Sequence, residues 1–218
     1  MAVERLWRVA TFSCVEVLAY CFMSNHFHIL VYVPDPRELS DDELLARIRA
    51  LYSGAALAEI EKEWELLGKI GDVNGRGRFR KRYLRRMWSA SEFMKTLKQH
   101  FTMSFNGRRD HHGTMFEGRY HERNHKPEPE VMWKTSAYID INAWEAGIVK
   151  RPEDYEWCSF AAAVKGDEKA RRGYAFIYGT ADDGYVIRDS HEKSMREAMT
   201  EIHAPREAAR AEREAKGA

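Results

Sequence analysis

The spacing of apolar positions changes several times along the chain, and each change marks an element. Ala2 to Ser13 reads as part of a helix. Val15 to Met23 is a continuous apolar, β-branched run, and His26 to Val33 resumes it after Ser24-Asn25. Asparagine tolerates the left-handed backbone of a tight turn, so the two runs predict a hairpin. Pro34-Asp35-Pro36 ends it, because proline cannot donate to a ladder. Ser40 and Glu43 have the spacing of a capping box, and Leu44, Leu45, Ile48, Leu51 and Tyr52 follow at helical intervals. Ala55 to Leu67 predicts more helix, Gly71 to Gly77 a loop turning at Asn74-Gly75, and Arg78 to Met87 a basic helix. Ser89 and Glu92 repeat the capping pattern. Phe93, Leu97, Phe101 and Phe105 then line one helix face as far as Asn106-Gly107.

Arg108 to Gly113 reads as a polar loop and Met115 to Asn124 as a strand. Pro127-Glu128-Pro129-Glu130 opens a helix carrying Val131, Trp133, Ala137, Tyr138, Ile141 and Asn142, which Gly147 ends. Beyond Val164 the periodicity fades. From His191 the chain is charged and alanine-rich, which predicts an exposed, frayed helix. The expected organisation is one domain over 1–165, with a basic helical insertion over 40–88, and a partly helical C-terminal extension over 166–218.

The 218 residues include 32 % charged ones and carry a net charge of +1. No apolar run approaches the roughly 18–20 residues that span a bilayer. Neither membrane association nor export is expected, and the expected location is the cytoplasm. Cys14, Cys21 and Cys158 are odd in number and lack metal-site spacing, so reduced, buried thiols are expected and a structural zinc site is disfavoured. The near-neutral total conceals segregation. Bases crowd Lys69 to Arg123, while acids gather in Asp41 to Glu65 and from Glu128 onward. Arg78, Arg82, Arg85 and Arg86 either form a solvated helix face or follow a phosphate backbone. Lys95, Lys98, Arg108, Arg109, Arg119 and Tyr120 suit a single strand, where cations track phosphates and bases stack on rings.

Candidate chemistry starts at His26 and His28. Residues two apart on a strand share a face, so both imidazoles project together while Phe27 points the other way. Such a pair is half of a divalent metal site. Tyr138 and Asn142, four apart on a helix, also share a face. The Asn142 oxygen can complete a site for Mg²⁺ or Mn²⁺, with positions open to phosphate oxygens. Tyr138, one turn away, would then hold its phenol beside a phosphate. A phenol is a weak nucleophile at its ordinary pKa of about 10 and needs a polarised phosphate to attack.

These residues fall in four blocks. They are Leu18-Ala19-Tyr20-Cys21-Phe22-Met23-Ser24-Asn25-His26-Phe27-His28-Ile29-Leu30-Val31; Ser91-Glu92-Phe93-Met94-Lys95; Gly113-Thr114-Met115-Phe116-Glu117-Gly118-Arg119-Tyr120; and Tyr138-Ile139-Asp140-Ile141-Asn142 running on to Trp157. In order and spacing they resemble the REP-associated tyrosine transposases, a branch of the single-tyrosine HUH transposases, over roughly Leu6 to Phe160. The resemblance implies an α+β fold with a ferredoxin-like antiparallel sheet and helices on one face. It implies Tyr138 as the nucleophile and His26, His28 and Asn142 as ligands of a divalent metal. The implied substrate is single-stranded DNA folded into hairpins. Cleavage would leave a 5′-phosphotyrosine and a free 3′ hydroxyl, and the strand would then be rejoined by a monomer or homodimer. Two departures stand out. The family carries a further strand before the point where this chain begins, which leaves an open sheet edge as an expectation and a truncated, non-catalytic hairpin-DNA-binding protein as the alternative. Ala143 stands where the family has proline after the asparagine.

Overall fold

In the computed structural model of the chain, the residues described are 2–109 (backbone only at 108 and 109), 113, 115–116, 118, 120–123, 128–180 and 188–201. They form an α+β fold that is mostly helical, with nine α-helices and one antiparallel pair of strands. The chain divides into two compact units, residues 1–16 with 31–122, and residues 17–30 with 123–218.

The first unit holds α1 (Ala2–Ser13), α2 (Asp41–Leu51), α3 (Gly54–Lys69), α4 (Val73–Leu84) and α5 (Ala90–Arg109). Helix α1 packs on α2 and α5, and α3 on α4. Leu6, Val9 and Phe12 of α1 are buried, as are Leu44, Ile48 and Leu51 of α2 and Phe93 and Leu97 of α5. The capping box at Ser40 and Glu43 is complete, each residue's side chain accepting from the other's backbone N–H. Trp64, Phe79 and Tyr83 make a second aromatic cluster, with ring centroids 4.9 and 5.0 Å apart. The loop expected over Gly71 to Gly77 is instead mostly the start of α4. Asp72 caps that helix by accepting from the Gly75 N–H at 2.8 Å, and Gly75 lies buried where a Cβ would overlap Leu67 and Asp72. The glycine therefore serves close packing inside the first helical turn rather than a bend.

The strand expected over Met115 to Asn124 is not present in its described residues. Side-chain contacts with α5 hold this stretch instead of a ladder. Phe116 lies 6.4 Å from Phe101, Lys98 Nζ donates to the Gly118 carbonyl at 2.6 Å, and the Tyr120 hydroxyl donates to Ser91 Oγ at 3.0 Å.

The hairpin pairs β1 (Glu16–Phe22) with β2 (Phe27–Tyr32), and its loop is closed by Met23 N–H donating to the His26 carbonyl at 2.8 Å. Residues 17–30 of this hairpin belong to the second unit. There they join α6 (Pro129–Glu145), a 3₁₀ turn (Pro152–Asp154), α7 (Ser159–Val164), α8 (Glu168–Tyr178) and α9 (188–201). On the side of β1 away from β2, Cys158 forms an antiparallel bridge with Cys21, and Phe22 N–H donates to the Trp157 carbonyl at 3.0 Å. Of the expected ferredoxin-like sheet, the described residues thus show two strands and this bridge. All three cysteines are free and buried, and burial pushes the Cys21 thiol up to about 12.

The C-terminal region departs most from expectation. Helices α8 and α9 share a unit with residues 17–30 of the hairpin and with α6. Tyr174 and Ile177 are buried, and so are His191 and Met195, where exposure was expected. Helix α8 approaches the backbone of β1 through Gly173, where a Cβ would overlap the Leu18 carbonyl oxygen. Gly173→Ala is therefore expected to destabilise the protein by about 2 kcal/mol, overpacking outweighing alanine's helix preference. A urea midpoint at or above that of the wild type would contradict it.

Candidate active site

His26 closes the hairpin loop and His28 is the second residue of β2, so the alternation of the strand sends both rings to one face. Their centroids lie 5.0 Å apart at an interplanar angle of 86°. His26 Nδ1 lies 2.7 Å from Asn25 Oδ1. An amide oxygen only accepts, so Nδ1 is the donor in this contact. Burial first, and the neighbouring His26 second, push the His28 imidazole below its usual range, so at pH 7 it is neutral and able to ligate.

Helix α6 starts with Pro129 in its first turn and lies against the face of the hairpin that carries His28, where Tyr138 meets that ring. Ala137, Ile139, Ile141 and Ala143 are buried, whereas Tyr138 is 46 % exposed. The Tyr138 ring stands 6.1 Å from the His28 ring, at 79°. One turn on, Asn142 Nδ2 donates to the carbonyls of Tyr138 at 2.6 Å and Ile139 at 3.2 Å. Its amide nitrogen is thereby spent, and Oδ1 is left as the acceptor. Two imidazole nitrogens and one amide oxygen are the donors these residues would offer to Mg²⁺ or Mn²⁺. Among the described residues no cluster of three or more His, Cys, Asp or Glu side chains could hold a metal.

The expected DNA-contacting residues lie in the first unit, and most have internal partners. Arg78 pairs with Asp72 at 3.6 Å. Arg82 pairs with Glu63 at 2.6 Å and lies over the Phe79 and Tyr83 rings. Arg86 donates to the Tyr52 hydroxyl at 2.6 Å and covers Phe12. Lys95 pairs with Glu92 at 3.3 Å, and Lys98 and Tyr120 are engaged as described above. Arg85 is exposed. Arg119 and the side chains of Arg108 and Arg109 lie outside the described residues.

The sequence reading missed a buried polar cluster behind α6. Asp140 Oδ1 accepts from Ser159 Oγ at 3.0 Å and from the Phe160 N–H at 3.2 Å. Oδ2 accepts from the Tyr174 hydroxyl at 2.5 Å and from His191 Nε2 at 2.9 Å. Ser159 Oγ also accepts from Tyr20 N–H of β1 at 2.9 Å, and His191 Nδ1 meets the Tyr178 hydroxyl at 2.8 Å. Burial first, then Asp140, holds the Tyr174 phenol well above its usual range, so it stays a donor. An acid set between Ile139 and Ile141 in an otherwise apolar stretch was the available signal, because a buried carboxylate needs donors.

No family model, curated protein or solved structure matches the chain. No helix among the described residues is long and apolar enough to cross a membrane.

Proposed function

We propose that the protein is a metal-dependent single-strand DNA transposase, cutting and rejoining DNA beside hairpins through Tyr138. The observation that carries this reading is the exposed Tyr138 phenol standing 6.1 Å from His28, itself 5.0 Å from His26. A bound Mg²⁺ or Mn²⁺ supplies polarisation of a phosphate oxygen. The protein's own part is to aim the phenol. The phenol gives up its proton to solvent and forms an O–P bond with the scissile phosphate. The P–O3′ bond breaks, and the departing 3′ oxygen takes up a proton. The DNA 5′ side is left as phosphotyrosine, with the bond retained for rejoining. Asn142 and the two histidines are the residues that would hold the metal.

The runner-up is a hairpin-DNA-binding protein that does not cut. Incubation with Mn²⁺ and end-labelled hairpin single-stranded DNA separates the two. A covalent adduct is expected in the wild type and is expected to be absent from Tyr138→Phe, which keeps the ring and loses only the nucleophilic oxygen. Hairpin binding without an adduct in the wild type leaves the binding protein.

A further inference from the structure

We infer that the buried Asp140 cluster is a positioning device for Tyr138, and that α9, through His191, is part of it. Asp140 lies two residues past Tyr138, about 200° round the same helix, so one side chain points into the unit while the other points out. The apolar neighbours Ala137 and Ile141 fill space without fixing how α6 is turned about its axis. A carboxylate that accepts four hydrogen bonds, from Ser159, Phe160, Tyr174 and His191, has a single seat. The donors come from α7, α8 and α9, and Ser159 also ties the seat to β1, the partner strand of the one that carries His28.

The cluster is not a hydrolytic triad. Ser159, Asp140 and His191 are 1 %, 0 % and 0 % exposed, so substrate has no access to them. Asp140, not the histidine, is the central member, and the serine bonds to it rather than to the imidazole. The leverage on Tyr138 is large. A phenolic oxygen roughly 8 Å from the helix axis moves about 1.4 Å for each 10° of helix rotation. A displacement near 1 Å can cost about a hundredfold in rate.

The activity arm of the test rests on Tyr138 being the nucleophile; the spectroscopic arm does not. Full-length protein carrying 3-fluorotyrosine is examined by fluorine NMR, with the Tyr138 line identified by its loss in Tyr138→Phe. The wild type is expected to give one narrow Tyr138 line. In His191→Ala that line should shift and broaden or split. His191→Gln, whose amide can again donate to Asp140, should restore it. Adduct formation from bound hairpin should fall at least tenfold in His191→Ala and recover in His191→Gln, with hairpin affinity unchanged. Tyr174→Phe removes one donor and keeps the ring, and a smaller shift of the same line is expected; it stands in where His191→Ala does not fold. A Tyr138 line that coincides with the wild type in the folded variants overturns the inference. A wild type that forms no adduct removes the nucleophile reading, and the fluorine line still decides whether the cluster places Tyr138.

Discussion

Asp140→Ala is expected to lower the free energy of unfolding by about 3–5 kcal/mol, since each buried donor left without an acceptor costs about 1–3 kcal/mol and part of that is recovered by relaxation. The truncation leaves the Ser159 hydroxyl, the Phe160 N–H, the Tyr174 hydroxyl and His191 Nε2 without their shared acceptor. Water cannot replace it cheaply, because Tyr174 and His191 are 0 % exposed. Asp140→Asn is the informative control. Its one oxygen can still accept on one side, while its new N–H group opposes donors on the other, so it should lose clearly less than alanine does. Urea denaturation of the full chain measures both. A loss below about 1 kcal/mol for alanine, the level of an ordinary surface change, would mean that the donors find other partners.

On the proposed function, His28→Ala should have the largest effect of the changes that leave the Tyr138 nucleophile in place. Removing one imidazole from a site with only two forfeits several kcal/mol of stabilisation on the phosphate oxygens. At 1.36 kcal/mol per factor of ten, adduct formation should drop about a hundredfold or more. His26→Ala should do the same. The two differ in stability, because His26 is exposed while His28 is half-buried against Tyr138, so only His28→Ala leaves a gap in packing. Hairpin affinity should stay within about twofold in both, since contacts of cations with the phosphate backbone generally supply most of the affinity for nucleic acid. Rates measured in saturating Mn²⁺ with labelled hairpin DNA test this. Adduct formed at the wild-type rate by both variants would remove the histidines from the chemistry.

The parts of the site that were legible in the sequence follow strict periods. Alternation put His26 and His28 on one face, and helical spacing paired Tyr138 with Asn142. Pro129 marked where α6 begins, and the structure has each of these as expected. The same rules misled where one residue type serves two purposes. Asn74-Gly75 is turn chemistry in isolation, but Asp72 two residues earlier turns it into the first turn of a helix. Met115 to Asn124 has the loose alternation of a strand, yet Phe116, Gly118 and Tyr120, among its described residues, contact side chains of α5. The C-terminal helices were hardest to read, because their main anchor is polar. His191 and Tyr174 are buried by hydrogen bonds to Asp140, and a polar anchor leaves no trace in hydrophobic periodicity.

Because the second unit is drawn from 17–30 and then from 123 onward, its assembly during synthesis has a built-in delay. Roughly a hundred residues separate Leu30 from Pro129, so at about 5–20 residues per second the hairpin leaves the ribosome about 5–20 s before its covering helix exists. Throughout that interval Val17, Leu18, Tyr20 and Phe22, all buried in the finished protein, have no helix of their own unit to pack against. The nascent chain is thus a natural client for chaperones that shield apolar strands, and its yield on expression should depend on their supply more than its final stability would suggest.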